Sequence, residues 1–396
     1  MKGCGGRLTY NEVTLINAKI YTPNKRIENG YLCFSEGQIT TLGEMHNLDV
    51  SSGQYIDLKG KGILPGLIDV HVHGGNNYAF MDENLETINE VSLYHARNGT
   101  TSLLATTTTA SADKIKRSLS VLADAIDHGV DGAEILGVHL EGPFINEKRG
   151  GAQDRSTILE PDLFLLKEFL TASRDTIRLV TMATERDKEH ELTTYLLSKK
   201  ITVSIGHSDA TYHDVLEVVK LGVNHTTHHF NGMRPMHHRD PGLAGAGLLL
   251  SELTTELIAD GFHVHSDLIK LLFSVKGSQG VCLITDAVSC AGLPDGDYDR
   301  VTITNGKVML KDGSSLAGST LTTIQALKNV LHYTGLSIED VLPSLTLVPA
   351  RQIGVSDRKG SLELGKDADF LIVNDRLDLE ATYVKGKAVY ESVKSI

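Results

Sequence analysis

Apolar runs alternate with helical patterns along the middle of the chain. The runs occur at 63–72, 101–107, 135–140, 177–182, 201–205, 225–229, 256–259 and 281–285. Apolar residues recur with helical spacing at 85–97, 112–127, 161–171, 188–197, 212–221, 266–275 and 320–333. This alternation is typical of βαβ units with a parallel sheet, and eight repeats are the number found in a (β/α)8 barrel. We therefore predict an α/β fold with a TIM-like barrel over residues 63–354.

The two ends of the chain have a different pattern. Residues 12–60 contain short strand-like runs separated by turn signals such as Asn29-Gly30, and no helical period appears there. After about residue 354 the strand pattern returns. We predict that residues 1–62 and 355–396 together form one small β-sandwich domain beside the barrel.

Composition and charge exclude several classes of protein. The content of 41% apolar and 22% charged residues is globular, and the net charge of −12 disfavours nucleic acid or an anionic membrane as partner. An anionic substrate would need local basic groups. The four cysteines, Cys4, Cys33, Cys282 and Cys290, have no C-x-x-C spacing and are expected to be reduced. Because residues 1–7 lack an apolar signal core and no run approaches membrane-spanning length, we expect a cytoplasmic protein.

The segment LPGLIDVHVHGG at 64–75 contains two histidines spaced two residues apart. Residues at i and i+2 of a strand point to the same side, so His71 and His73 are expected to lie side by side. Such a pair can bind a metal ion. Two histidines on a half-buried strand are the alternative, and the residues that follow other strands decide between the two.

Metal-ligand and acid/base residue types follow six of the eight predicted strands. They are His71 and His73 on the first, Glu141 on the third, His207 on the fifth, His228 on the sixth, Asp260 and His263 on the seventh, and Asp286 on the eighth. The active site of such a barrel lies at the carboxyl ends of its strands. Imidazole and carboxylate groups hold Zn²⁺ or Fe²⁺ while leaving a position for water. The convergence predicts a metal-dependent hydrolase.

These motifs resemble those of the amidohydrolase superfamily, and within it the deacetylases of N-acetylglucosamine 6-phosphate. They are H-x-H, H-L-E-G-P-F, G-H-S, H-x-x-N-G-M, A-D-G-x-H and T-D-A, with G-S-L-x-x-G-K-D-A-D-F-L-I-V near the C-terminus. The resemblance covers about residues 13–390. Many members of the superfamily bridge two metals with a carboxylated lysine, and Glu141 looks like its replacement here. The resemblance implies hydrolysis of the acetamide to D-glucosamine 6-phosphate and acetate by metal-bound hydroxide.

The resemblance also implies the metal ligands and the acid/base group. Glu141, His207 and His228 would hold the principal metal, and His71 with His73 would complete a second site that Glu141 bridges. It follows that each subunit would bind two divalent cations, Zn²⁺ or Fe²⁺, with Mn²⁺ or Co²⁺ also compatible with these ligands. Asp286 would take a proton from the water and return it to the leaving amine.

The substrate-binding residues are likewise implied by the resemblance. Asn231 and Gly232 would contact the sugar phosphate, while Arg239 and His263 would supply positive charge. The remaining positions in the set are Ala152 and Gln153, which line the sugar, and Leu316, Ala317 and Gly318, where the backbone can approach the ligand. The resemblance further implies a homodimer, in which a neighbouring subunit can reach the phosphate.

Three alternatives remain open at this level. The barrel could act on a cyclic amide or imide, in which case Arg239 would hardly matter. It could prefer the galactosamine epimer, which differs in one hydroxyl contact. It could also be a metal-binding but catalytically silent relative, although the chain retains Asp286 and every expected ligand.

Overall fold

The N-terminal part of the chain folds into strands, in agreement with its turn signals. The computed structural model describes residues 12–23, 25–49 and 54–392, so Cys4 and the segment 1–7 lie outside the described residues. The first strands are β1 (Val13–Tyr21), β2 (Arg26–Ser35), β3 (Gln38–Glu44), β4 (Gln54–Asp57) and β5 (Gly62–Pro65). β1 is central, since it pairs antiparallel with β2 and parallel with β4 and β5.

Eight parallel strands form a second sheet, which confirms the predicted barrel. The first is β6 (Leu67–Val72), followed by a small hairpin of β7 (Gly74–Gly75) and β8 (Tyr78–Ala79). The others are β9 (Thr100–Thr106), β10 (Glu134–Glu141), β11 (Ile177–Met182), β12 (Thr202–Ile205), β13 (His225–Thr226), β14 (Thr254–Ile258) and β15 (Val281–Ile284). Strands that follow one another in the chain are neighbours in this sheet.

Helices connect the barrel strands. They are α1 (Leu85–Ala96), α2 (Ala112–His128), α3 (Leu163–Ala172), α4 (Glu191–Ser198), α5 (Tyr212–Leu221), α6 (Gly242–Leu249) and α7 (Ser266–Lys276). Several begin at a polar residue whose side chain accepts a hydrogen bond from the first turn, as Ser111 and Thr211 do. Among the described residues, no helix has both the length and the apolar character needed to cross a bilayer.

The chain beyond the last barrel strand builds a small sheet, three helices and three further strands. The small sheet contains β16 (Gly296–Asp297), β17 (Val301–Thr304) and β18 (Lys307–Leu310). The helices are α8 (Thr323–Thr334), α9 (Ile338–Val341) and α10 (Leu347–Gln352). The last strands, β19 (Phe370–Val373), β20 (Leu379–Val384) and β21 (Lys387–Glu391), join the N-terminal sheet through the pairing of β19 with β5.

The two termini therefore share one curled sheet with its own core. Phe34 of β2 lies 5.4 Å from Phe370 and 6.0 Å from Tyr383, measured between ring centroids, although several strands separate them in the sheet. The sheet folds over these rings, so apolar residues from both ends of the chain bury one another.

Hydrogen bonds of both side chains and backbone join the first and last barrel strands and close the barrel. The amide of Asp286 donates to the carbonyl of His71 at 2.9 Å. The Asp69 carboxylate accepts from both the hydroxyl and the amide of Thr285. Burial raises the pKa of Asp69 to about 6, although these hydrogen bonds oppose the rise. The first residues of the predicted metal motif thus also close the barrel.

The structure corrects the predicted strand at 63–72, which is two strands in different sheets. β5 belongs to the terminal sheet and β6 to the barrel, and Gly66 separates them. A Cβ at Gly66 would lie 2.2 Å from the Thr101 hydroxyl oxygen and 2.9 Å from Cβ of Asp369. Only glycine leaves room for the chain to pass between the two sheets here.

Two further elements were not predicted from the pattern of apolar and polar residues. α6 has the sequence GLAGAGLL, which is apolar throughout and rich in glycine, so it shows no amphipathic period. The small sheet β16–β18 consists of strands of two to four residues, too short for a clear alternation. The predicted strand at 225–229 also shortens to β13, and its last residues form a turn.

Candidate active site

The candidate site lies where the barrel strands end. Glu141 is the last residue of β10, and His73 directly follows β6. His207, His228 and Asp286 each lie two residues beyond their strand and have positive φ angles of 46°, 26° and 50°. Such angles cost a non-glycine residue on the order of 1–3 kcal/mol and are concentrated at functional sites. The fold holds these side chains in strained positions.

Glu141, His207 and His228 form one half of the site. The Nε2 atoms of the two histidines lie 3.1 Å and 3.3 Å from Glu141 Oε1 and 3.1 Å from each other. Each ring donates its Nδ1–H to a backbone carbonyl, His207 to Arg149 at 2.8 Å and His228 to Asn231 at 3.1 Å. Both Nε2 atoms of the neutral rings therefore carry lone pairs, so three electron-pair donors face one another.

His71, His73 and Asp286 form the other half. Nε2 of His73 lies 3.1 Å from Asp286 Oδ1 and 3.5 Å from Glu141 Oε2. Nε2 of His71 lies 3.5 Å from Glu141 Oε1 and 3.6 Å from Asp286 Oδ1, and it has no hydrogen-bond partner although it is buried. Glu141 thus lies between the two halves and contacts both.

Both halves have the donor chemistry of a divalent cation site. In each, the three candidate ligand atoms lie within 4.8 Å of one another, and all six residues are buried. Imidazole nitrogen and carboxylate oxygen are the ligands that Zn²⁺, Fe²⁺ and related ions take from proteins. A buried polar atom without a partner costs about 1–3 kcal/mol, which a cation between the lone pairs would remove. The residues therefore fit the predicted metals.

The carboxyl groups of the site are ionised at neutral pH. Burial alone would raise the pKa of Glu141, but the electrostatic attraction of His71 and the close contacts with the other imidazole rings hold it well below its ordinary value. Burial likewise opposes ionisation of Asp286, yet the hydrogen bond from His73 and the neighbouring histidines lower its pKa to about 2. Ionised carboxylates are the form that binds a cation or accepts a proton.

The two halves open into a cavity of about 520 Å³. Four of the predicted metal ligands, His73, Glu141, His207 and His228, line it together with Asp286. His71 lies beneath the cavity, fully buried. The predicted substrate-binding residues that line the cavity are Ala152, Gln153, Asn231, Gly232, His263, Leu316, Ala317 and Gly318.

Arg239 is the one predicted substrate residue that does not line this cavity. Its side chain is exposed and its Nη1 meets His238 Nε2 at 2.7 Å. It belongs to a surface turn in which His237 and Asp240 exchange backbone hydrogen bonds. Arg239 is therefore not part of the cavity wall of its own chain, and its role in phosphate binding stays a prediction.

Gln153 contacts the metal-ligand group rather than only lining the cavity. Its Nε2 donates to Glu141 Oε2 at 2.6 Å, and its Oε1 accepts from the amide of Thr109 at 2.9 Å. The side-chain amide is thereby fixed in orientation. Gln153 holds the Glu141 carboxylate in its position between the two halves.

His263 provides the cavity with a group that favours positive charge. Its Nδ1 lies 2.7 Å from Asp260 Oδ2, and the same carboxylate accepts from the amides of residues 262 and 263. Although burial opposes it, the hydrogen bond and charge of Asp260 raise the pKa of His263. An imidazole held in this way suits an anionic ligand.

Sequence reasoning missed two charged residues. Glu256, in the middle of β14, is fully buried and accepts a hydrogen bond from His71. A carboxylate inside an apolar strand was the available signal, because ionisable residues are rarely buried without a partner. Arg300 lines the cavity from the small sheet, and nothing in the local sequence pattern indicated it.

The barrel with its histidine- and carboxylate-lined site defines a class, the barrel hydrolases that act with divalent cations. The model of the amidohydrolase family matches residues 63–389. The chain belongs to the amidohydrolase family, and within it to the N-acetylglucosamine-6-phosphate deacetylases.

Individual relatives are deacetylases of two epimeric amino-sugar phosphates. The N-acetylglucosamine-6-phosphate deacetylase of Bacillus subtilis is 37% identical over 94% of this chain and 96% of its own length. The N-acetylgalactosamine-6-phosphate deacetylase of Escherichia coli O157:H7 is 34% identical over 82% of this chain and 87% of its own. A crystal structure of a variant N-acetyl-D-glucosamine-6-phosphate deacetylase from Mycobacterium smegmatis, in complex with N-acetyl-D-glucosamine-6-phosphate, has a TM-score of 0.90 and 27% identity. The match covers 96% of this chain and 99% of that one.

Proposed function

We propose that this protein hydrolyses the acetamide bond of N-acetyl-D-glucosamine 6-phosphate, giving D-glucosamine 6-phosphate and acetate. The observation that carries the proposal is that two groups of candidate cation ligands meet at the cavity, one of Glu141, His207 and His228 and the other of His71, His73 and Asp286, and that Glu141 contacts both. The activity of the relatives supports the choice of substrate.

The proposal includes two divalent cations per subunit, Zn²⁺ or Fe²⁺, with Mn²⁺ and Co²⁺ also compatible with the ligands. Glu141, His207 and His228 would hold the first, and His71 and His73 with Glu141 the second. A bound divalent cation lowers the pKa of a coordinated water to about 7 and so supplies a nucleophile at neutral pH.

Asp286 moves the proton in this reaction. Its ionised carboxylate lies beside the cation groups, 3.1 Å from His73 Nε2, where it can accept a proton from the attacking water. A bond forms between the water oxygen and the acetyl carbon, the C–N bond breaks, and Asp286 returns the proton to the amine nitrogen. Asp286 accepts one proton and returns one proton, so it is again ionised at the end of the reaction.

The remaining cavity residues orient the sugar phosphate. His263, with its raised pKa, offers a positive group to the phosphate. Gly318 has φ of 66°, and a Cβ there would lie 2.3 Å from Val288 and 2.8 Å from the carbonyl oxygen of Asp286, so glycine lets residues 316–318 line the cavity directly beside Asp286. Asn231 and Gly232 present an amide and backbone next to the His228 ligand.

The direct test compares acetate release from three N-acetyl sugars, namely the phosphorylated glucosamine derivative, its galactosamine epimer and the unphosphorylated sugar. Hydrolysis of a cyclic amide is measured in parallel as ring opening, because that reaction releases no acetate. We expect turnover of the N-acetylglucosamine 6-phosphate and little or none of the unphosphorylated sugar, because a charged hydrogen bond contributes about 1.5–3 kcal/mol. Preference for the epimer would correct the substrate only. Turnover of the cyclic amide alone, or of none, would contradict the proposed function.

We propose that the protein acts as a homodimer. Exposed apolar side chains surround α6, α7 and the nearby loops, namely Met236, Leu249, Phe262, Leu268, Leu271 and Val275. Exposed apolar side chains on neighbouring elements are typical of an interface. Arg239 lies three residues from Met236, and in the proposed dimer it would reach the cavity of the partner subunit.

We propose that the reaction takes place in the cytoplasm. A sugar phosphate is charged and does not pass through a bilayer unaided. The cysteines Cys33, Cys282 and Cys290 are free and buried, as expected for a reducing compartment. The net charge of −12 supports neither nucleic acid nor membrane as a partner.

Arg239→Ala is expected to raise KM for the phosphorylated sugar by about 10- to 100-fold, the equivalent of one lost charge-assisted hydrogen bond. Arg300→Ala is the matched control. Arg300 is exposed at the cavity in the same chain, and its charge acts on Asp154. Steady-state kinetics of both variants decide the matter: a large KM effect in Arg300→Ala with none in Arg239→Ala would place the phosphate contact within one chain.

A further inference from the structure

Glu256 lies at the centre of the barrel, below the two halves of the site. Its side chain is fully buried, and one oxygen, Oε2, accepts two hydrogen bonds. Nδ1 of His71 lies 2.9 Å from it, and the backbone amide of His228 donates to it at 3.0 Å. One carboxylate oxygen therefore connects a ligand of one cation group with the backbone of a ligand of the other.

This hydrogen bond determines what His71 can offer to a cation. Because Nδ1–H donates to Glu256, the lone pair of the neutral ring is on Nε2, which points to Glu141 and Asp286. The ring has little freedom, since it is fully buried and packs edge to face against His139 at 4.5 Å between centroids. Without the carboxylate, either nitrogen of His71 could carry the proton.

The negative charge of Glu256 also bears on how many cations the site holds. Among the described residues, Glu141, Glu256 and Asp286 have ion-pair contacts with histidines only, and none with lysine or arginine. A single divalent cation leaves part of the charge of three buried carboxylates uncompensated, whereas two cations offset it. Burial of unpaired charge is strongly unfavourable.

We propose that Glu256 is a positioning residue that sets the occupancy of the cation site formed by His71 and His73. It does so by fixing the tautomer and orientation of His71 and by adding the third negative charge. The inference rests on the proposed function for its metals, but not on the identity of the substrate. It predicts that substitution of residue 256 weakens the binding of one of the two cations in a subunit and leaves the other bound.

Two substitutions distinguish the effect of the hydrogen bonds of Glu256 from the effect of its charge. Glu256→Gln keeps an oxygen that can accept both hydrogen bonds and removes the charge, while Glu256→Leu removes both. Ser204→Ala is the matched control, because Ser204 Oγ belongs to the same buried polar layer, bonding His225 and Thr227, and contacts no proposed ligand. Circular dichroism and thermal unfolding establish that each variant folds.

The readout is the number and affinity of bound cations, measured by titrating metal-free protein with Zn²⁺ and by elemental analysis after dialysis. We expect two cations in the wild type and in Ser204→Ala, and one in Glu256→Leu. In Glu256→Gln the second cation should bind about 10- to 100-fold more weakly, the usual effect of losing a partner of a metal-bound histidine.

Acetate release does not enter this test, so failure of the proposed substrate leaves it intact. Wild-type protein that binds only one cation would overturn the inference. Two cations at unchanged affinity in both Glu256 variants would also overturn it, as would the parallel loss of both cations in Glu256→Gln. Should Glu256→Leu fail to fold, Glu256→Gln alone decides.

Discussion

Asp286→Asn is expected to fold, to keep the cation held by Glu141, His207 and His228, and to lose turnover by on the order of 10²–10⁴-fold. The amide has nearly the shape of the carboxylate but cannot accept the proton of the attacking water. Since the pKa of Asp286 is lowered to about 2, the wild-type group is ionised across the neutral range, and only the substitution removes its function as base. Single-turnover acetate release measures the loss of turnover, and metal analysis measures whether the cation is retained.

A second aspartate controls for the loss of negative charge from the cavity. Asp299 also lines the cavity, on the small sheet, and it is exposed. Asp299→Asn should keep near-normal turnover. If Asp286→Asn with its principal cation bound were as active as Asp299→Asn, Asp286 would have no part in proton transfer.

The second large effect is expected for stability, at the junction between the barrel and the terminal sheet. Lys359 has a side chain only 1% exposed, and its Nζ lies 2.5 Å from Glu134, 2.9 Å from Asp367 and 2.5 Å from Asp369. Lys359→Met keeps most of the volume and removes the charge. Breaking a buried ion pair on one side costs about 3–5 kcal/mol, because the partner charges stay buried.

The partners of Lys359 differ in how much they would lose. Glu134 retains Lys385 at 2.9 Å, and Asp367 retains Arg358 at 2.7 Å. Among the described residues, the Asp369 carboxylate would keep only the backbone amide of Lys385 as a partner, and burial already raises its pKa despite the charge of Lys359. The free energy of unfolding in urea, at equal m-value, measures the loss.

Lys19→Met is the matched control for this change. Lys19 pairs with Asp375 at 2.6 Å on the surface, where the side chains are 35% and 82% exposed, and such pairs contribute little to stability because solvent screens them. Equal losses in the two variants would show that the buried network does not hold the sheet to the barrel.

The network also has an expected pH dependence. Burial opposes ionisation of Glu134, but the charge of Lys359 and its hydrogen bonds lower the pKa of Glu134 to about 2. A carboxyl whose pKa is lower in the folded state stabilises the fold above its unfolded value of about 4.3 and loses that contribution as the pH falls toward 2. Lys359→Met should therefore weaken this part of the acid dependence.

The sequence predicted the barrel and the strand-end residues because both follow from local rules. Apolar runs alternated with helical periods; His71 lay at the end of one run that had to be a buried strand, and His207 and Asp286 each followed another. Parallel barrel strands place their carboxyl ends together, so these side chains converge without any knowledge of long-range contacts. The structure brings them within one cavity, apart from His71, which lies beneath it.

What the sequence did not predict depends on contacts between distant segments. The break at Gly66 exists because Thr101 and Asp369 leave no space there, and neither is near in the chain. The bond between Glu256 and His71 joins residues 185 positions apart. Arg239 is the opposite case, since the resemblance named the residue while its position on the surface of one chain is a property of the fold, and its role stays a prediction.

The measurement that tests the central claim most directly is acetate release from N-acetyl-D-glucosamine 6-phosphate by protein freed of metal with a chelator and then reloaded. The convergence of Glu141, His207 and His228 predicts that the metal-free protein is folded but inactive, and that Zn²⁺, Fe²⁺, Mn²⁺ or Co²⁺ restores turnover. Undiminished turnover of this substrate by protein shown to be free of metal would contradict the account.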